Sequence, residues 1–379
     1  MMGGTFMEIL RIRDRGIFPG SLMPGTKNCI TDVSGVCVEH ETILEEDLCT
    51  GVTAILPHSG DLFQEKVTGA AHIMNGFTKC TGLLQVQELG TIETPIMLTN
   101  TLNVGKVSDA TIDYMVNQSN EQYRINSINP VILECNDGYL NNIQKRPVEK
   151  SHVYSAINNS SSKKVKEGSV GAGTGMITFG FKGGIGSSSR VISWENRSYT
   201  LGTLVLSNFG SKNNLEIQGI PVGKYLNQNN SVNTDQDEKP ELSDSSGSII
   251  MILATDIPLN SRQLKRIAKR APLGLSKVGG FASHGSGEVA LAFSNVNISP
   301  FLSKNTPNNK LNITEEREHY LSTSYLDHPQ LMNNIFQAAV ETVEESVLNA
   351  LSCSNSITAY QDRTVKALPW DEITHLFNK

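Results

Sequence analysis

The sequence predicts a layered α+β protein, and three observations carry that reading. Short apolar runs bounded by turn residues recur along the chain and read as strands. Other stretches place apolar residues at i, i+3, i+4 and i+7, the pattern of a helix with one buried face. The third observation is composition: 38% hydrophobic and 18% charged residues with 32 glycines describe a globular chain with many tight turns, and 379 residues suffice for a substantial core.

Gly16 to Val36 is turn-rich, through Pro19-Gly20, Pro24-Gly25 and Ser34-Gly35, and Val52 to Leu56 then predicts a strand. Gln64 to Gly76 carries Val67, Ala70, Ala71 and Met74 at helical spacing and predicts a helix, as does Val107 to Val116. Thr94 to Leu98 and Pro130 to Cys135 predict strands, the second closed by the turn Asn136-Asp137-Gly138 with Tyr139 just past it. Asn158 to Lys166 is polar and predicts a mobile loop. Gly168 to Gly186 holds eight glycines but matches neither a P-loop nor a dinucleotide-binding pattern, so it predicts a pair of glycine-kinked strands, closely packed or lining a pocket. Thr200 to Ser207 is a further strand, running into Asn208-Phe209-Gly210.

The sharpest change in the chain follows. Lys224 to Gly247 has only four large apolar residues, Tyr225, Leu226, Val232 and Leu242, and predicts a polar linker that cannot order itself. It ends against Ile249 to Ala254, a continuous apolar run that predicts a strand buried on both faces. A cut in the linker at Gly247-Ser248 would leave Ser248 as an amino terminus at the head of a core strand. Asn260 to Ala271 predicts a helix, and His284 to Phe293 predicts a strand on which Ser286 and Glu288 share a face. Pro300 to Tyr325 is polar and loop-like, and Gln330 to Leu351 predicts the longest helix, with Ile335, Ala339, Val343, Val347 and Leu351 in one row. There is no internal repeat.

Several classes of function are disfavoured. A net charge of −6 without a dense Lys/Arg cluster argues against nucleic acid. No apolar run approaches the ~20 residues that span a bilayer, and Met1 to Arg15 lacks a signal pattern, so a cytoplasmic protein without a membrane partner is expected. The six cysteines are scattered without metal-ligand spacing; free thiols and no metal are expected. A serine hydroxyl needs a base, and no histidine has a spacing that announces a triad. The α-amine of an N-terminal serine, with an ordinary pKa of about 7.7–8.0, could serve instead.

At this point the motifs themselves are informative. Gly168 to Met176, Phe181 to Arg190, Leu206 to Gly210, Gly219 to Gly223, Gly247 to Ile250 and His284 to Glu288, with Asn28 to Val33, Leu98 to Thr101 and Glu134 to Tyr139, resemble those of the DmpA-like self-cleaving aminopeptidases. The resemblance implies a four-layer αββα sandwich over residues 1–379, of the ornithine acetyltransferase and Ntn-hydrolase type, made as a precursor that cuts itself into 1–247 and 248–379. It implies Ser248 as nucleophile, with Ser286 and Glu288 orienting and polarising it. It assigns Asn208 to the oxyanion hole, Tyr139 to the active site and Glu134 to the substrate's ammonium group. It further implies an aminopeptidase, amidase or esterase acting on short peptides or aminoacyl amides and esters, with no cofactor, assembled as a homo-oligomer, a tetramer of processed pairs. Two alternatives stand beside it. Ornithine acetyltransferases also self-cleave but use threonine, and a non-catalytic relative would neither cleave nor hydrolyse.

Overall fold

The computed structural model describes residues 10–119, 124–230, 247–300 and 327–377. The first half of the chain gives β1 (Cys37–Glu45), β2 (Leu48–Leu56), β3 (Glu65–Gly76), α1 (Leu83–Leu89), β4 (Thr91–Ile92), β5 (Ile96–Asn100), α2 (Val104–Gln118), β6 (Val131–Cys135) and α3 (Lys150–Asn158). The glycine-rich region gives β7 (Ile177–Thr178), β8 (Phe181–Lys182) and β9 (Gly184–Trp194), followed by β10 (Arg197–Asn208) and α4 (Val222–Asn230). The remainder gives β11 (Ser248–Thr255), α5 (Ser261–Ala268), α6 (Ala271–Ser276), β12 (Gly287–Pro300), α7 (Pro329–Ser352), β13 (Ile357–Ala359), β14 (Arg363–Val365) and α8 (Trp370–Ile373).

Two sheets stack face to face, one of four strands in the order β1-β2-β5-β6 and one of six in the order β4-β3-β12-β11-β10-β9. Their facing side chains, among them Ile55, Leu98 and Leu133 from the first and Leu204, Ile250, Ile252 and Leu291 from the second, form one buried cluster. Val107, Ala110, Val153 and Ile157 of α2 and α3 cover the outer face of the four-stranded sheet, against Val52, Ala54, Met97 and Ile132. Leu264, Ile267, Leu275, Ile335, Ala339 and Val343 of α5, α6 and α7 cover the outer face of the other. The result is a four-layer αββα sandwich. β11 shows why its sequence is apolar throughout: Ile250, Ile252 and Ala254 enter the core between the sheets, while Ile249, Met251 and Leu253 face the helices.

A buried ionic cluster ties α7 to the rest of the sandwich. The guanidinium of Arg190, on β9 and without solvent exposure, bonds Glu341 and Glu345 of α7 at 2.8 Å each. Glu345 also accepts from Arg13 at 2.8 Å and from the Asn28 amide at 2.5 Å, so its charge is paired and hydrogen-bonded despite full burial.

The structure departs from the sequence reading at five places. Gln64 to Gly76 is the strand β3, not a helix. It pairs antiparallel with β12 and β4, and a Cβ at Gly69 would lie 2.8 Å from Ile92, which explains the small residue there. The linker expected from Lys224 begins as helix α4, because Val222 and Leu226, one turn apart, are both fully buried; residues 231–246 lie outside the described chain. The glycine-rich region makes a two-residue hairpin, β7 with β8, and then a single long strand rather than two kinked strands. Helix α3 was not expected at all, and its Asn158 is where the polar loop was placed. Asn260 to Ala271 holds α5 and the first residue of α6 instead of one helix. Residues 301–325 lie outside the described chain.

Candidate active site

The site forms where three strands of the six-stranded sheet begin or end together. Ser248 is the first residue of β11 and is paired on one side with Asn208, the last residue of β10, and on the other with Gly287, the first residue of β12. Beside them opens a cavity of about 590 Å³ whose wall includes Gly247, Ser248, Asn208, Tyr139 and Glu134. Five of the seven positions singled out from the sequence thus share one cavity. Ser286 and Glu288 do not line it; they lie directly behind, both buried.

Among the described residues the Ser248 hydroxyl has no hydrogen-bond partner, and none of those lining the cavity is a histidine. His284 is exposed and lies outside the wall. The preceding carbonyl is held instead: the Gly287 N–H donates to the Gly247 oxygen at 3.1 Å. Both glycines are required by close approach. A Cβ at Gly287 would stand 2.7 Å from the Phe77 carbonyl oxygen and 3.1 Å from Ser248 Oγ, and one at Gly247 would lie 2.5 Å from Phe209 Cα.

Asn208 is clamped at both ends of its amide. Its Oδ1 accepts from the Ile177 N–H at 2.9 Å and its Nδ2 donates to the Asn136 carbonyl at 2.9 Å. This donor-acceptor pattern fixes which end of the amide is which and leaves the second Nδ2 hydrogen for a ligand. Glu134, next to last in β6, has Oε1 accepting from the Thr78 hydroxyl at 3.1 Å and the Lys79 N–H at 2.9 Å, while Oε2 accepts from Thr101. It is the one acidic side chain among the described residues lining the cavity. The Tyr139 ring lies under the Arg363 guanidinium, which also bonds the Tyr139 carbonyl.

Behind Ser248, the Ser286 hydroxyl meets Glu288 Oε1 at 2.5 Å and the Ser283 carbonyl at 2.7 Å, and Asn75 of β3 donates to Ser286 at 3.3 Å. Burial pushes the Glu288 carboxyl above the ordinary carboxylate range, with the Ser286 hydrogen bond acting in the opposite direction. Its Oε2 is buried without a partner among the described residues. Sequence reading did not single out Asn75, Thr101 or the N–H groups of Gly287 and Ile177. Two of these are backbone groups without a residue signature, and Asn75 is brought in only by the pairing of β3 with β12.

Among the described residues no group of His, Cys, Asp or Glu is arranged to hold a metal ion, and no helix is long and apolar enough to cross a membrane.

An αββα sandwich in which a core strand opens on a serine, beside a cavity holding an amide donor, is the architecture of the Ntn-type hydrolases. Residues 28–365 match the family described as Peptidase family S58, and the chain belongs to that family. It is 34% identical over 393 residues to the beta-peptidyl aminopeptidase BapA of Sphingosinicella microcystinivorans, covering 100% of this chain and 94% of the relative. Among solved structures it is similar to a Burkholderia sp. beta-aminopeptidase, with 34% identity, TM-score 0.84 and coverage of 98% and 100% of the two chains. It is similar also to the L-aminopeptidase D-Ala-esterase/amidase of Ochrobactrum anthropi, described as a variant of the Ntn hydrolase fold, with 35% identity, TM-score 0.79 and 96% coverage of each chain.

Proposed function

We propose that this chain is a self-processing aminopeptidase that cuts itself between Gly247 and Ser248 and then uses the freed Ser248 against short peptides, amides or esters bearing a free amine. The observation that carries the reading is the placement of Ser248: a hydroxyl without a hydrogen-bond partner among the described residues, at the head of a core strand, on a cavity wall, next to a carbonyl polarised by the Gly287 N–H. In the precursor, Ser248 Oγ attacks the Gly247 carbonyl carbon. The bond to the Ser248 nitrogen breaks as that nitrogen takes the hydroxyl proton, and water hydrolyses the ester to give a Gly247 carboxylate and a Ser248 amine.

In the processed enzyme that amine serves as the base that a histidine would supply in a triad. The unpartnered Glu288 Oε2, steadied through Ser286, has the capacity to accept from it. Ser248 Oγ then attacks the substrate carbonyl as its proton passes to the amine, Asn208 Nδ2 donates to the developing oxyanion, the substrate's amine or alcohol leaves with that proton, and water hydrolyses the Ser248 ester to release the acyl group as an acid. Glu134 holds the substrate ammonium and Tyr139 completes the wall. Replacing Asn208 with alanine is expected to lower kcat by ~10²–10³-fold with little change in KM. Gly287→Ala is expected to slow self-cleavage, because its methyl crowds Ser248 Oγ; time-resolved denaturing gels read the rate.

A panel of L-, D- and β-aminoacyl anilides tests the activity: release of aniline from at least one is expected, and failure on all of them with processing intact overturns the aminopeptidase reading. The tetramer of processed pairs and the cytoplasmic setting belong to the same proposal. Light scattering on the purified protein checks the first and cell fractionation the second.

A further inference from the structure

The Asn208 amide sits in the middle of a longer polar chain that begins and ends on buried charges. Lys182 on β8 has no solvent exposure, and its Nζ donates to the carbonyl oxygens of Met176, Gly183 and Gly173 at 2.7, 2.7 and 3.2 Å. Burial pushes this amine down to about 7, yet three carbonyl acceptors around one nitrogen are satisfied only by an ammonium with three N–H groups. The Met176 carbonyl belongs to the same peptide unit as the Ile177 N–H that holds Asn208 Oδ1. On the other side, Asn208 Nδ2 donates to the Asn136 carbonyl, whose peptide carries the N–H of Asp137. The Asp137 carboxylate, 1% exposed, is carried by the residue that supplies that N–H and accepts from Asn141 and Asn100 at 3.0 and 3.1 Å.

From these contacts we infer that Lys182 and Asp137 are positioning residues that orient and polarise the Asn208 amide through the two intervening peptide units. Every donor in the chain points from the ammonium towards the carboxylate, so the three amide dipoles are aligned head to tail. A carbonyl that accepts from a cation makes the N–H of its peptide unit a stronger donor, by about 10–30% per bond in a low-dielectric interior. The Lys182 end therefore raises the positive charge on the Asn208 amide hydrogens, and the bond from Nδ2 to the Asn136 carbonyl, on the peptide shared with Asp137, fixes the direction in which the remaining one points.

The inference rests on Asn208 as the oxyanion donor of the proposed reaction, and its test separates the two. Lys182→Met is expected to lower kcat on an aminoacyl anilide by ~10-fold or more, within the ~10²–10³-fold ceiling set by losing the donor itself, and to leave KM within about twofold. On an Asn208→Ala background the same substitution is expected to add no more than about twofold, because residues acting through one another are not additive. Lys182→Gln, which keeps donors for two of the carbonyls but no charge, takes its place should Lys182→Met not fold. A readout independent of turnover is the side-chain ¹⁵N–¹H signal of Asn208 in asparagine-labelled Ser248→Ala protein, identified by its loss in Asn208→Ala; it is expected to move upfield in either Lys182 variant. An unchanged kcat in a folded variant, a loss that persists in full without Asn208, or an unmoved signal would overturn the inference. If the unsubstituted protein hydrolyses none of the anilides, the proposed activity fails instead, and the amide signal alone decides whether Lys182 polarises Asn208.

Discussion

Ser248→Ala is expected to leave the protein as one 379-residue band on a denaturing gel, where the unsubstituted chain is expected to resolve into fragments 1–247 and 248–379. Hydrolysis of aminoacyl anilides is expected to fall by ~10⁴-fold or more, the loss seen when a nucleophile is removed from a site whose other groups remain. The size of the effect follows from the absence of a substitute. Among the described residues lining the cavity there is no histidine, and no second hydroxyl heads a core strand beside Gly247. Ser248→Cys, which keeps a nucleophile at the same point, is expected to process slowly rather than not at all. Two bands of unchanged size from Ser248→Ala would show that cleavage at this position does not use the serine.

The second large effect is on stability. Glu345→Ala leaves Arg190 and Arg13 facing an empty position inside the protein, and is expected to lower the free energy of unfolding by about 3–5 kcal/mol, measured by chemical denaturation. Asp113→Asn, which removes an exposed pair with Lys150, is expected to cost less than about 1 kcal/mol and serves as the control. The cluster also predicts a pH response. Burial alone would raise the Glu345 carboxyl, but the Arg13 hydrogen bond and the charges of Arg190 and Arg13 bring it below its ordinary value of 4.5. A depressed carboxylate contributes fully above the unfolded value and loses its contribution as pH falls through the folded one. Stability of the parent protein is therefore expected to drop more steeply below pH 4.5 than that of Glu345→Ala. The signs of the cluster also divide at the proposed cut, with Arg13 and Arg190 before it and Glu341 and Glu345 after it. Separating the two fragments would strand buried charge on both.

How much of this was legible in the sequence depended on whether one residue's surroundings were enough to define it. β11 could be read because every position from Ile249 to Ala254 is buried, so no phase had to be guessed. The long helix could be read because its buried row, Ile335 to Leu351, repeats at every turn. β3 could not, since Val67, Ala70, Ala71 and Met74 satisfy a helical spacing while the strand is set by pairing with β12, more than two hundred residues away. Helix α4 needed only Val222 and Leu226 to anchor it, too few for a periodicity to emerge from a polar stretch. The named side chains of the site came from motif resemblance, and four of them share a wall. The N–H groups of Gly287 and Ile177 and the ammonium of Lys182 were invisible, because what they touch is fixed by sheet register and not by neighbours in sequence.

The position of β11 in its sheet has one more consequence. A proteolytic cut ordinarily loosens the ends it makes, and new termini are among the least ordered parts of a chain. Here the strand that would acquire the new end is paired along its whole length with β10 on one edge and β12 on the other. The amino terminus would be born inside a finished sheet, with its direction already set and little conformational freedom to lose when substrate arrives.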